Sequence, residues 1–325
     1  MEQPAWRELP AAQGSFTLLQ LTDTHLRPDP ELLFGRIDTW ALTLAALKEA
    51  ERFRPDAVVV TGDLADCCSE IYDDAARLLD HAAAKLGCPV ITLPGNHDVP
   101  AREAGLFNRG RAANGPGPGE TVHFLGGLRI ITLDSDDPGR PAGILSAEQL
   151  DWLRDELATP APQGTVLALH HPPVESTLPL LAGRGLASPQ LLRSVIAGTD
   201  VRGILCGHYH HAQSGWLGSV PVWVGPAVAC NPPAPGSADT SDSSWISVIR
   251  LGPDSFRAAP VLVSAGMPAA TASNSSAQAF GLPPGVVGVP EGAPELSELK
   301  LINPDLDKIA AGQDAAVEKF NSLLD

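Results

Sequence analysis

The chain has 325 residues, 44% of them hydrophobic and 18% charged, a globular composition on a length that suits one large domain or two small ones. Its net charge of −16 excludes a general nucleic-acid binder, because phosphate backbones demand a basic surface. The same charge admits a small anionic substrate, provided the binding site carries its own cations.

The opening "MEQPAWRELPAAQGSF" has no basic region followed by an apolar stretch. The longest nearly apolar run, "VPVWVGPAVAC" (220–230), is short and broken by proline and glycine. Neither a signal peptide nor a membrane span is expected, and the cytoplasm is the expected location. The five cysteines (Cys67, Cys68, Cys88, Cys206 and Cys230) are scattered without a CxxC pair. Reduced, mostly buried thiols are expected rather than disulfides or a thiolate metal site, with Cys67, Cys68 and Cys206 assigned to packing.

In chain order, residues 1–15 read as an extension and 16–263 as one layered α/β domain. "FTLLQL" (16–21) is a predicted strand. Ile37, Trp40, Leu44 and Leu47 then share one face of a predicted helix. "DAVVV" (56–60) predicts a fully buried strand, followed by a helix around Glu70–Leu86 and a third strand in "PVITL" (89–93). "TVHFL" (121–125) and "RIITLDS" (129–135) flank Gly126-Gly127 as a hairpin. Ser146 with Gln149 three residues on predicts a capping box for a helix through Leu157. "TVLAL" (165–169) and "VRGILC" (201–206) are further strands, and "WISVIRL" and "FRAAPVLV" close the domain as a second hairpin. Residues 264–325 are rich in Ala, Gly, Pro and Ser, lack periodicity and read as a linker-like tail, with a weak helix near Leu306–Leu324.

Five stretches of chemically active residues stand where apolar strands stop. They are "QLTDTHL" (Asp23, His25), "VVTGDLAD" (Asp63), "LPGNHD" (Asn96, His97), "LALHHPP" (His170, His171) and "CGHYHH" (His208, His210). Any one alone reads as a turn, a cap or a surface histidine. All five together would need five independent accidents. Open α/β sheets gather their sites at the carboxyl ends of strands, so these side chains are expected to converge. Imidazole with carboxylate suits borderline divalent metals such as Zn²⁺, Mn²⁺ or Fe²⁺. The two-residue spacing of Asp23 and His25, and of His208 and His210, places each pair on one side of an extended chain, with Tyr209 and His211 turned away. The two oxygens of Asp63 could bridge a pair of ions, the arrangement suited to in-line displacement at phosphorus.

The blocks DxH, GD, GNH[DE], H and GHxH, in this order, resemble the calcineurin-like metallophosphoesterase superfamily over residues 16–263. "TGDLAD", "GNHD", "LALHHPP" and "GILSAEQLDWLRDEL" are similar to class III bacterial cyclic-nucleotide phosphodiesterases. The resemblance implies a fold of two mixed β-sheets packed between helices. It also implies a two-metal phosphodiesterase, with one ion held by Asp23, His25, Asp63 and His210 and the other by Asp63, Asn96, His170 and His208. The ions would be iron, manganese or zinc, the substrate a 3′,5′-cyclic nucleotide such as cyclic AMP, and the assembly a homodimer. Asp63, Asn96 and His97 would be catalytic, and His25, Asp63, Asn96, His97 and His210 would face the substrate.

His97 matches the non-ligand histidine of the pattern and is expected to protonate the leaving alkoxide, with Asp98 orienting its ring. His171 is expected at a strand end or behind the ligands, His211 on the surface or behind them, Arg140 in a solvated loop or against substrate, and Asp66 either at a helix cap or at the site. Other phosphoester substrates remain open, since pocket walls set substrate choice; so does a non-catalytic scaffold on the same fold.

Overall fold

The computed structural model describes residues 14–28, 31–66, 71–98, 105–108, 115–117, 119–231 and 243–263. The strands in order are β1 (Phe16–Leu21), β2 (Ala57–Thr61), β3 (Val90–Leu93), β4 (Thr121–Leu125), β5 (Leu128–Leu133), β6 (Thr165–Leu169), β7 (Val201–Cys206), β8 (Gln213–Leu217), β9 (Val220–Val224), β10 (Ser244–Gly252) and β11 (Ser255–Val263). The helices are α1 (Thr39–Ala50), α2 (Tyr72–Leu86), α3 (Ala147–Leu157) and α4 (Pro189–Ile196). One sheet has the order β11-β10-β1-β2-β3, the other β4-β5-β6-β7-β9-β8. β1, β2 and β3 run parallel to one another, as do β5, β6, β7 and β9, while β10 pairs antiparallel with β1 and β11, and β4 and β8 join the edges of the second sheet antiparallel. This is the expected pair of mixed sheets between helices.

The layers follow from the period of two along each strand. On β1 and β2, Leu19, Leu21, Val58 and Val60 face out and pack with Leu47 of α1 and Leu79 of α2. Leu18, Ala57 and Val59 face in and meet Ile130, Val166, Ala168 and Leu205 of the other sheet. On the far side, Ile131, Leu133, Leu167, Leu169 and Ile204 pack outward with Leu153 of α3 and Leu192 of α4. Strands buried on both faces read as continuous apolar runs, which is why they stand out in the sequence. The Gly126-Gly127 hairpin forms, with Leu125 paired to Leu128. So does the capping box, in which Ser146 and Gln149 bond reciprocally.

The helix predicted from Ile37, Trp40, Leu44 and Leu47 exists, but its buried stripe differs. Asp38 caps α1 by accepting from Ala41 N at 2.9 Å, so Ile37 lies before the helix. Its buried residues are Thr39, Thr43, Ala46, Leu47 and Ala50, and Leu44 is 52% exposed. Ala46, Leu47 and Ala50 pack with Leu19, Leu21, Val58 and Val60 of the sheet, so Leu47 of the predicted stripe is core and Leu44 is not. The short helix α4 and the strands β8 and β9 were not anticipated. The N-terminal extension apart from Gly14 and Ser15, the pair Cys67-Cys68 and the tail beyond Val263 lie outside the described residues. Among the described residues no helix is long and apolar enough to cross a membrane.

Candidate metal centre

β1, β2, β3, β6 and β7 each deliver their polar block to the same rim. The loops after β1 and β2 are zipped together by Asp23 N donating to Gly62 O, His25 N to Asp63 O and Leu26 N to Leu64 O, at 2.9–3.1 Å. Close approach explains the glycines beside the candidate ligands. A Cβ on Gly62 would lie 2.5 Å from the His170 ring, and one on Gly95 would lie 2.2 Å from Asp63 Oδ1.

The backbone here is not the extended chain that the spacing suggested. Asp23, His25, Asp63, His208 and His210 all have φ between 44° and 69°, five of the nine non-glycine residues of the described chain in left-handed conformation. Such backbone is costly for ordinary residues and persists where surrounding bonds over-determine it. Alternating left-handed residues, rather than strand pleating, bring the paired side chains inward.

Three groups of potential ligands result. Asp23, His25, Asp63 and His210 each offer a donor atom to one and Asp63, His170 and His208 to a second, all of them buried, while His25, Asp66 and His97 form a third at the edge. His25 Nε2 lies 3.2 Å from His210 Nε2, which lies 3.2 Å from Asp23 Oδ1. His170 Nε2 stands 3.2 Å from Asp63 Oδ2 and 3.1 Å from Asn96 Oδ1, which brings half-buried Asn96 to the second cluster. Asp63 Oδ1 accepts from the His97 backbone N–H at 2.8 Å, whereas Asp63 Oδ2 is buried with no hydrogen bond. Both ring nitrogens of buried His208 are likewise without a partner, a large desolvation cost unless something binds there.

These features fit divalent cations. His170 Nδ1 donates to Thr61 O at 2.8 Å and His210 Nδ1 to Cys230 O at 2.6 Å, which fixes both rings and turns each Nε2 inward. The anionic pair Asp23 and Asp63 demands positive charge. Burial would lower the His170 imidazole, but Asp63 and Asp23 push it up to about 9; the same opposition, led by Asp23, leaves His210 well above its ordinary value. Burial opposes ionisation of Asp63 too, yet the surrounding imidazoles hold it well below the carboxylate range. Burial, reinforced by His171 and His170, pushes His208 far down and keeps it neutral. Neutral His208 beside ionised Asp63 is a donor pair for borderline metals, and a divalent ion would replace the protons that the carboxylates hold on His170 and His210.

His97 lies at the edge of this centre, its ring edge-on to His25 with centroids 4.9 Å apart. The acid that holds it is Asp66, not Asp98. His97 Nδ1 is 3.1 Å from Asp66 Oδ1, which also stands 3.7 Å from His25 Nδ1, while Asp66 Oδ2 accepts from Arg27. Burial would lower the His97 imidazole, but Asp63 and Asp66 raise it above its ordinary value and favour a protonated ring. The Asp98 carboxylate accepts instead from the backbone N–H groups of Leu64, Ala65 and Gly95 and from the Tyr72 hydroxyl, tying the loop after β3 to the loop after β2. The N-cap of α2 is Ile71, so that helix does not take Asp66 as its cap.

His171 is fully buried, hydrogen-bonded through Nδ1 to Ser135 Oγ at 2.9 Å, and its ring centroid is 4.5 Å from that of His208. His211 is half-buried and stacks on Tyr209, with its ring nitrogens near Tyr209 O and Gln213 Oε1, away from both clusters. Tyr209 is buried and donates to Val174 O at 3.0 Å. The Arg140 side chain is 75% exposed beside Asp137, a solvated loop arginine. Cys206 is buried in the core, and burial pushes its thiol well above the usual range.

Two helix-flanked sheets with carboxylates and imidazoles meeting at the rim are the architecture of a metal-dependent phosphoesterase. The chain belongs to the calcineurin-like phosphoesterase family, whose model matches residues 16–212. It is 40% identical over 215 residues to a cAMP/cGMP dual specificity phosphodiesterase of Mycobacterium tuberculosis, covering 65% of this chain and 67% of that protein. It is 36% identical over 209 residues to the 3′,5′-cyclic adenosine monophosphate phosphodiesterase CpdA of Escherichia coli K12, covering 62% and 71%. Among solved structures, a yellow lupin purple acid phosphatase superposes with a TM-score of 0.52 at 13% identity, over 79% of this chain and 53% of that one. GAP50, the anchor in the inner membrane complex of Plasmodium, does so with 0.53 at 13%, over 77% and 85%. A phosphatase and an anchor thus share the fold, and function must be argued from the site.

Proposed function

We propose that this chain hydrolyses phosphodiesters at a centre of two divalent metal ions, and that its substrates are 3′,5′-cyclic nucleotides such as cyclic AMP, opened to the 5′-monophosphate. The observation that carries the reading is Asp63 Oδ2, a buried carboxylate oxygen without a hydrogen bond, placed between two groups of inward-facing imidazoles. One ion is assigned to Asp23, His25, Asp63 and His210, the other to Asp63, Asn96, His170 and His208. Iron, manganese and zinc all suit such a shell.

Bound divalent ions supply Lewis acidity and a hydroxide nucleophile near neutral pH, and they attract the phosphoryl oxygens of an anionic ester to an acidic protein. The remaining work falls to the chain. Asn96 Nδ2 is buried without a partner and is available to donate to a phosphoryl oxygen. His97, held through Nδ1 by Asp66, presents its other ring edge to the leaving oxygen and gives it a proton. We also assign His25 and His210 to face the substrate, since the His25 ring lies 4.9 Å from that of His97 and 5.1 Å from that of His210. The choice of a cyclic nucleotide rests on the two named relatives. Free buried thiols at Cys88, Cys206 and Cys230 suit a reducing compartment, and we place the enzyme in the cytoplasm.

The test is a substrate panel with Mn²⁺: cyclic AMP, 2′,3′-cyclic AMP, glycerophosphodiesters and p-nitrophenyl phosphate. The largest kcat/KM should belong to cyclic AMP, with 5′-AMP as product and no turnover in metal-stripped protein. A larger value for any other member of the panel would overturn the substrate assignment.

A further inference from the structure

Both candidate ion sites straddle the seam between the two sheets. Asp23, His25 and Asp63 follow strands of the first sheet and meet His210 from the second; Asp63 also meets His170 and His208 from the second. Ligand geometry at either site therefore depends on how one sheet sits on the other. The layer joining them is apolar almost to the rim, and apolar packing is non-directional. Something directional must set the final alignment.

The inward-facing positions turn polar one step below the ligand loops. Gln20, 1% exposed, is the next inward residue after Leu18 on β1; fully buried Thr61 is the next after Val59 on β2. Gln20 Nε2 donates to Thr61 Oγ1 at 2.8 Å and to the carbonyl oxygen of Cys206 at 2.7 Å. The Cys206 carbonyl can only accept, so it fixes which end of the amide faces it. One side chain thereby joins β1, β2 and β7, the strands that lead into Asp23, Asp63 and His208. The neighbouring contact is equally close: Thr22 Oγ1 lies 2.7 Å from Asp23 Oδ2, and a Cβ on Gly207 would lie 2.0 Å from Thr22 Oγ1. The amide also carries a cost, for Gln20 Oε1 is buried without a partner. An apolar residue of similar size would pack here without that desolvated oxygen.

We infer that Gln20 is a positioning residue, which sets the register of the carboxylate-bearing half of the centre against its imidazole-bearing half. It touches no candidate ligand and acts through Thr61 and the Cys206 carbonyl. The inference rests on reading the two clusters as divalent-ion sites. Gln20→Met keeps the bulk and removes both donors. Thr61→Val breaks one of the two links from its far end. Leu18→Ala loosens the same inter-sheet layer lower down and serves as the packing control.

The experiment is Mn²⁺ binding to metal-stripped protein by equilibrium dialysis, with melting temperatures measured in parallel. Gln20→Met should weaken Mn²⁺ binding by at least about tenfold, the scale for residues that support ligands from behind. Thr61→Val should weaken it less, and the double variant should fall short of the product of the two effects. Leu18→Ala should lower the melting temperature and leave Mn²⁺ affinity near wild type. Wild-type affinity in Gln20→Met, or an equal loss in Leu18→Ala, would overturn the inference. Should Gln20→Met fail to fold, Thr61→Val decides, and wild-type affinity there overturns it too. A wild-type chain that binds no Mn²⁺ would instead overturn the ion-site reading on which this rests.

Discussion

Replacing Asp66 by asparagine is the most discriminating perturbation of the chemistry, because it keeps the shape of the side chain and removes its charge. The Asp66 carboxylate holds His97 Nδ1 at 3.1 Å and is itself gripped by Arg27. A hydrogen bond to a charged group contributes about 1.5–3 kcal/mol, and each 1.36 kcal/mol lost in the transition state costs about tenfold in rate. Turnover of cyclic AMP should therefore fall roughly 10–100-fold, less than the roughly 10²–10⁴ that the positioned acid itself contributes. The defect should be smaller for bis(p-nitrophenyl) phosphate, whose leaving group departs with little protonation. The assay is steady-state turnover of both substrates at saturating Mn²⁺, with bound metal measured on the same samples. Equal losses on the two substrates, or a loss that tracks missing metal, would show that Asp66 does not act through a proton-donating His97.

The three clustered histidines should separate cleanly: His208→Ala and His210→Ala each lower metal occupancy and cut turnover by more than the roughly 10–100-fold typical of supporting residues, and His211→Ala, which stacks on Tyr209 away from both clusters, does neither. Metal analysis with turnover checks this, and a His211→Ala defect as deep as that of His210→Ala would mean the ligand register is wrong. On β4, burial lowers the His123 imidazole from 6.5 to about 4. Between those values the unfolded chain binds a proton that the native protein does not, so stability falls as pH drops from about 6.5 to about 4, by up to roughly 3 kcal/mol. Urea unfolding across this window should show a shallower loss in His123→Gln, and parallel wild-type and variant curves would contradict the assignment.

Much of the fold was legible because its signals are local or doubly buried. β2 and β6 appear as unbroken apolar runs since helices cover one face and the other sheet covers the second. The residue types of the centre were legible for a related reason: a buried carboxylate or imidazole at a strand end has few structural uses. What the sequence hid was geometry set from far away. The left-handed backbone at Asp23 and His25 depends on bonds to the loop after β2, so their spacing suggested a pleated strand where none exists. Asp98 was expected to orient His97 because it is adjacent in sequence, yet the partner is Asp66, 31 residues upstream. Leu44 reads as core because periodicity counts apolar side chains, whereas the residues buried on α1 include Thr43 and Ala46, with Ala46 in the cluster of the sheet. β8 was hidden by its place at a sheet edge, where alternate residues face solvent.

A two-ion centre assembled across two sheets, opening a cyclic phosphodiester, ties turnover to the number of ions bound. The direct measurement titrates Mn²⁺ into metal-stripped protein and records, in the same samples, ions bound per chain and 5′-AMP formed from cyclic AMP. Binding should saturate at two ions per chain, with turnover appearing as the second ion binds. Full turnover with one ion bound, or hydrolysis of cyclic AMP by the stripped chain, would rule out two-ion catalysis.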